Sequence, residues 1–317
     1  MRNNVATPGA AAFLVLLSGS PAAADAAPGA KPELFALGVI SGAVDVDAAT
    51  FTPDGDTVFF DRSDHGASTI MVSRKVGGIW SPPQVAPFSG KWSDKDPAMA
   101  PDGGFLVFGS NRPAMPGGQP VDLVGADGQV RPGKGDHLWR VDRKGSGWGE
   151  PAPLPDVVNT SARIYSPSVA GDGSLYFQRR DETSHTFHIV RSQYRDGRYQ
   201  APAPVVIGPE MADERDPTIA PDESFIVFSA NYAAKGTPNR LYISFRAKDG
   251  WGAPSDLGDE VNHDGVEGPH LGPDHRSVYF DSTAKADEAG PPGAPVGEIS
   301  KIWRVSLARW LDAHGSN

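Results

Sequence analysis

No cysteine occurs in the 317 residues, so a disulfide framework, a thiol nucleophile and a lipid-modified cysteine are all excluded, and stability has to come from packing. Basic residues are also scarce: 29 Lys plus Arg stand against 39 Asp plus Glu, a formal net charge of −10. That balance argues against a phosphate-tracking surface and against nucleic acid as a partner. No long amphipathic helical pattern is visible, and there is no nucleophile elbow or phosphate loop. None of the eight histidines has a recognised zinc spacing; the two ends of "HTFH" (185–188) fall on opposite faces of a strand. What the chain has in quantity is 37 Gly, 30 Pro and 39% hydrophobic residues, the composition of many short strands joined by tight turns.

The N-terminus carries Arg2, an apolar stretch from about Ala10 to Leu17, and Ala22-Ala23-Ala24 before Asp25. This is the pattern of a secretory signal peptide over residues 1–24, too short to remain as a membrane span. Cleavage is expected near Ala24-Asp25, leaving a loose leader over 25–31 and a single domain over 32–317. The expectation is a periplasmic or secreted monomer with no membrane insertion after cleavage.

One unit then recurs: "FTPDGDTVFF" (51–60), "MAPDGGFLVF" (99–108), "VAGDGSLYF" (169–177), "IAPDESFIVF" (219–228) and "LGPDHRSVYF" (271–280). Aligned on the turn, the copies are 48, 70, 50 and 52 residues apart. A period of that length in mostly β sequence predicts an all-β, five-bladed β-propeller of four-stranded blades. Each Pro-Asp-Gly is expected to turn the hairpin between the two inner strands, with Pro presetting φ and Gly accepting a positive one. Runs such as "FLVF" suit strands covered on both faces. The fifth copy ends after its third strand, "KIWRVSL", whereas "PELFALGVISGAVDVDA" precedes the first. The N-terminal segment, about residues 32–44, is therefore expected to supply the missing outer strand, a velcro closure that removes a sheet edge.

With "DPAMAPDGGFLVFGSNRP" (96–113) as its best copy, the chain resembles the TolB-type WD-like (PD40) β-propeller repeat family, whose consensus is close to "PxxSPDGxxLYFxSNRP". The resemblance spans roughly residues 32–310. It departs at "AATFTPDG" in blade 1, which lacks the leading Pro, and at Gly171 in blade 3. It implies the fold, while the family's functions are diverse.

The longest connections, 111–136 in blade 2 and 282–300 in blade 5, fall on the face opposite the Pro-Asp-Gly turns, and such loops usually carry function. That face also receives residues flanking the innermost strands: Asp47, Asp94, Asp96, Tyr165, Glu214, Asp216, Glu267 and His270. From the second strands come Asp61, Asn111, Arg112, Arg179, Asn231, Tyr232 and Asp281. Together they make a polar cup for an extracytoplasmic protein, peptide or oligosaccharide. No cofactor is expected, and a divalent cation in the channel would be compatible with the acids. The bland alternative is that these groups cap loops and pair across blades.

Two functions follow, a binding scaffold using the long-loop face, or a carbohydrate-active enzyme of hydrolase or lyase type. Five-bladed glycosidases similar to arabinanases place acids from different blades around a central pocket, and Asp47, Asp96, Glu214, Glu267 and His270 would be the catalytic candidates. Arg62, Arg112, Arg163, Arg179, Arg180 and Arg215 are expected beside the acids, holding them ionised. That would favour binding over acid catalysis.

Overall fold

The computed structural model describes residues 1, 31–64, 66–125, 127–208, 212–232, 237–263, 265–283 and 299–315. The expected signal peptide, most of the leader and most of the blade 5 loop lie outside the described residues.

The five repeats form five small antiparallel sheets in a ring, a five-bladed propeller. The innermost strands are Asp45–Phe51, Asp94–Met99, Ile164–Val169, Asp213–Ile219 and Val266–Leu271. Second strands follow at Thr57–Asp64, Phe105–Ser110, Leu175–Arg180, Phe225–Asn231 and Ser277–Ser282. A third strand completes the body of each blade, and the outer strand is only two residues long, as at Gln84–Val85 in blade 1.

The second strands explain why the ring holds together. Side chains alternate across a strand, so Phe105 and Val107 enter the apolar cluster shared with blade 3, while Leu106 and Phe108 enter the cluster shared with blade 1. Phe225 and Val227 face blade 5, and Ile226 and Phe228 face blade 3. Each of the five interfaces between neighbouring blades has one such buried cluster.

The turn aspartates are structural. In every copy the carboxylate accepts the N–H two residues on: Asp54 from Asp56 (3.0 Å), Asp102 from Gly104 (2.8 Å), Asp172 from Ser174 (2.8 Å), Asp222 from Ser224 (3.0 Å) and Asp274 from Arg276 (3.0 Å). The next position is left-handed. Gly55, Gly103 and Gly173 fill it without strain, but Glu223 (φ 57°) and His275 (φ 50°) do so as non-glycines. Glu223 is retained by Tyr176 and Arg191, whereas exposed His275 makes no comparable contact among the described residues. Replacing His275 with Gly is therefore expected to stabilise the protein by a net ~0.5–1 kcal/mol, relief of left-handed strain outweighing the entropy that glycine loses on folding. Chemical denaturation checks this, and a lower midpoint for the variant would contradict it.

At the ends of the chain, Glu33–Leu34 lies antiparallel along the third strand of blade 5, Lys301–Ser306, with Glu33 opposite Arg304 and Leu34 opposite Trp303. The Phe35 N–H donates to the Ile302 carbonyl (2.9 Å). The pairing is shorter than the expected 32–44, because the chain turns from Ala36 onward and buries Ile40 instead. Helix Ala308–Gly315 ends the described chain, and no helix among the described residues is long and apolar enough to cross a membrane.

Candidate functional site

Every innermost strand is interrupted by a bulge at the same place. The residue there has a positive φ: Ala48 (57°), Asp96 (51°), Ser166 (50°), Asp216 (49°) and Gly268 (55°). The bulge withdraws one backbone N–H from its own ladder, and each such N–H is taken up by the preceding blade. Asp281 accepts from Ala48 with both oxygens (3.2 Å each), Asp61 from Asp96 (3.4 Å), Asp96 from Ser166 (3.0 Å), Gln178 from Asp216 (3.1 Å) and Asp216 from Gly268 (3.5 Å). The five bonds form a closed belt around the channel.

Each blade supplies one acceptor, from either of two positions. Blades 1, 3 and 5 place it on the second strand (Asp61, Gln178, Asp281), opposite Asp47, Tyr165 and Glu267, and have a small residue at the bulge. Blades 2 and 4 have Gly109 and Ser229 on the second strand and an aspartate at the bulge.

Above the belt, at the long-loop end, a cavity of about 560 Å³ opens on the axis. Among the described residues its carboxylates are Asp47, Asp61, Asp96, Asp216, Glu267 and Asp281, and its lysine, Lys95, is ion-paired to Asp136 at 2.9 Å. His270 forms the floor. It occupies the strand position at which blades 1, 3 and 4 have Thr50, Ser168 and Thr218, whose hydroxyls accept the N–H of Met99, Ile219 and Leu271 of the next blade (3.0 Å each). His270 is 9% exposed and has no hydrogen-bond partner among the described residues. Beneath it the channel narrows to a cavity of about 70 Å³ bordered by Pro53, Pro101, Pro221 and Pro273.

Electrostatics in the cup run against the expectation of arginine-stabilised anions. Burial, then the neighbouring charges of Asp47 and Asp96, pushes Asp61 well above the carboxylate range. Burial and Asp47 do the same for Asp281. Asp96 rises to about 6, chiefly through burial and against the pull of Lys95. Asp47 is raised by burial. Solvent reaches Glu267 through the cup, yet the surrounding protein and the charge of Asp216 still raise it. Desolvation lowers His270 to about 4, so it is neutral at physiological pH.

The arginines are paired or placed outside the cup, although the charge of Arg215 still pulls Glu267 down in part. Arg112 pairs with Asp94 (2.6 Å), Arg163 approaches Glu182 (3.8 Å) and Arg215 pairs with Asp213 (2.7 Å). Arg179 and Arg180 line a separate groove, and Arg62 is exposed.

Of the residues expected at the mouth, the structure brings Asp47, Asp96, Asp216, Glu267, His270 and Asp281 together. Asp94 and Arg112 lie instead in the sandwich beside blade 1, where Ser89 and Ser110 donate to Asp94 (2.8 and 2.6 Å) and Arg112 also donates to the Phe88 carbonyl (3.2 Å). Glu214 is buried toward the groove between blades 3 and 4 and accepts from the Tyr232 hydroxyl (2.8 Å) and the Gly208 N–H (3.0 Å). Arg179 borders the same groove. Asn111 and Asn231 hold loops, through the Gly133 carbonyl (2.9 Å) and the Thr237 carbonyl (2.6 Å). Tyr165 packs on Phe187, under the Lys95 ammonium.

Asp61, expected at the mouth from the end of its second strand as Asp281 is, also lines the cup, whereas Lys95 and Ser166 are cup residues absent from the expected set. Among the described residues no three His, Asp or Glu side chains are gathered so as to hold a metal ion.

Native carboxyls held above their unfolded values bind protons that the unfolded chain releases. The contribution of these groups is therefore full below about pH 4, the unfolded carboxyl range, and is lost as pH rises from there through their folded values. The melting temperature is expected to drop by about 3 °C or more between pH 5.5 and 8, since ~1 kcal/mol moves a chain of this size by ~2–4 °C. Asp61→Asn, which keeps an acceptor for the Asp96 N–H, should flatten the profile. A melting temperature that rises over this range would contradict the assignment.

No family profile matches the chain, and no curated protein sequence does. Solved structures do. A thermostable family-43 glycoside hydrolase is similar at 10% identity, over 84% of this chain and 91% of its own, with a TM-score of 0.52. An α-L-arabinofuranosidase from Lactobacillus brevis is similar at 12% identity, over 84% and 91%, with a TM-score of 0.50. TolB from Acinetobacter baumannii is similar at 12% identity with a TM-score of 0.49; the match covers 83% of this chain and 54% of that protein, so the chain spans about half its length. At these identities the first two likenesses show a common fold and leave function to the site.

Proposed function

We propose that the protein is an extracytoplasmic binding protein that takes a hydrophilic ligand, a glycan or a peptide segment, into the cup at the long-loop end. The observation that carries this reading is the cup itself, about 560 Å³ across the axis and lined by polar groups from several blades. Four of its carboxylates are already committed to neighbouring backbone amides. Asp47 and Glu267 are not part of that belt; each has one side-chain donor, Ser300 for Asp47 and Asn239 for Glu267 (2.8 Å), and acceptor capacity left for a ligand. The leader-like N-terminus supports export.

Thermal-shift titration with neutral, amino and acidic oligosaccharides and with short peptides tests the reading. One class should raise the melting temperature saturably, and the response should vanish in Glu267→Arg, which projects a long cation into the cup, but persist in Lys248→Glu. A response that survives Glu267→Arg moves the site elsewhere.

A second reading, a carbohydrate-active enzyme, is favoured by Asp96, whose carboxyl titrates at about 6, within the range a general acid needs near neutral pH. Turnover of aryl glycosides or oligouronides that disappears in Asp96→Asn, Asp47→Asn or Glu267→Gln would establish it over simple binding.

A further inference from the structure

The acids of the cup and the unpartnered imidazole beneath them define what the ligand has to offer. Carboxylates accept hydrogen bonds and do not donate them when ionised. Among the described lining residues the ammonium is that of Lys95, which already has Asp136. At the floor, His270 is nine-tenths buried, has no partner among the described residues, and borders the cup. Its ring lines the cup without a protein partner among the described residues, so a ligand group can meet it there. His270 is also in the one blade whose inner position breaks the Thr/Ser pattern in favour of a larger polar group. Glu267, on the same strand, and Asp47, on neighbouring blade 1, line the cup with it, and the Ala48 N–H joins the two blades by donating to Asp281.

We propose that the ligand enters this cup through a primary ammonium group, which sits above His270 and donates to the carboxylates of Asp47 and Glu267 and to the imidazole. The inference rests on the cup being the binding site.

Three features select this chemistry. A primary ammonium has three donors and no acceptor, the complement of Asp47, Glu267 and an accepting nitrogen of the neutral His270. Among the described residues no Phe, Tyr or Trp ring lines the cup, and an aromatic cage for a quaternary ammonium ion is built from such rings. The described residues gather no three-ligand metal group, so a bare divalent ion lacks its usual set of protein ligands. His270 is neutral, so one ring nitrogen is free to accept, and the formal charge of −10 favours the approach of cations. The same group could belong to a free oligoamine or to the amino sugar of a glycan.

Titration calorimetry with the purified protein tests this with four probes: a glucosamine trimer, its fully N-acetylated form, a glucose trimer and 1,4-diaminobutane. The glucosamine trimer or the diamine is expected to bind saturably, and whichever of the two binds identifies the source. Acetylation should weaken binding at least tenfold. Glu267→Gln, at a solvent-reached position where folding is not at stake, should weaken amine binding by about five- to tenfold, and Asp47→Asn similarly. If neither amine binds, or if the free and acetylated trimers bind alike, the ammonium proposal is overturned. If in that case a neutral trimer binds and is lost in Glu267→Arg, the cup remains the binding site. Amine binding that survives Glu267→Arg would overturn both.

Discussion

Deleting residues 32–44 is expected to lower the melting temperature by at least 10 °C and to turn the protein aggregation-prone. The segment supplies the outer strand along Lys301–Ser306 and the buried side chain of Ile40. It also provides Phe35, whose ring meets Phe51, Trp80 and Tyr279 at 5.6, 5.6 and 5.0 Å. Burying one such side chain contributes about 1.5–3 kcal/mol, and a chain of this size moves by ~2–4 °C per kcal/mol. Removing two of them together with the strand also exposes a sheet edge. Differential scanning calorimetry of the full and shortened chains decides the matter. An unchanged transition would mean that the ring holds without this segment.

Replacing Arg112 with Ala should cost about 3–5 kcal/mol, the range for a buried ion pair broken on one side. Asp94 is fully buried and Arg112 is 7% exposed, so the abandoned carboxylate has no route to water. The Arg112 guanidinium also lies 5.0 Å from the Phe108 ring and 5.2 Å from the Trp139 ring, and that packing goes too. The double variant Asp94→Ala/Arg112→Met, which removes both charges and refills the space, should regain most of the loss. Urea denaturation of the set measures this. A single variant as stable as the wild type would return Arg112 to the list of surface groups available for a ligand.

That pair also shows where sequence reasoning reached and where it stopped. The hairpins were legible because Pro-Asp-Gly dictates a turn locally and its aspartate caps that same turn. The sandwich core was legible because "FLVF" and "FIVF" present apolar groups to both sides. The mouth was harder, because an Asp-x-Asp run such as 94–96 reads as two side chains on one face. The bulge breaks that alternation. Asp96 turns to the cup while Asp94 stays in the sandwich, and Glu214 and Asp216 separate in the same way. A comparison across blades exposes this: Asp94 and Glu214 stand where the other blades have Val46, Ile164 and Val266, all buried. The bulge residues gave little warning, since Asp96, Ser166 and Asp216 adopt a positive φ without being glycine, and tertiary bonds to the neighbouring blade hold them there. The raised acids were illegible for a related reason. Sequence proximity to arginine says nothing about which side of the strand the guanidinium takes.

The one-acceptor-per-blade rule restricts how these blades can diverge. A blade of the Asp61 kind can become a blade of the Asp96 kind only by gaining an aspartate at the bulge and losing one on the second strand. If the loss comes first, the next blade's amide is left without a partner in a dry place. If the gain comes first, two carboxylates crowd one amide and repel each other. Both half-way sequences are penalised, so the two positions are expected to change as a linked pair in related chains. Asp47 and Glu267, outside the belt, are under no such constraint and can drift singly as the ligand requires.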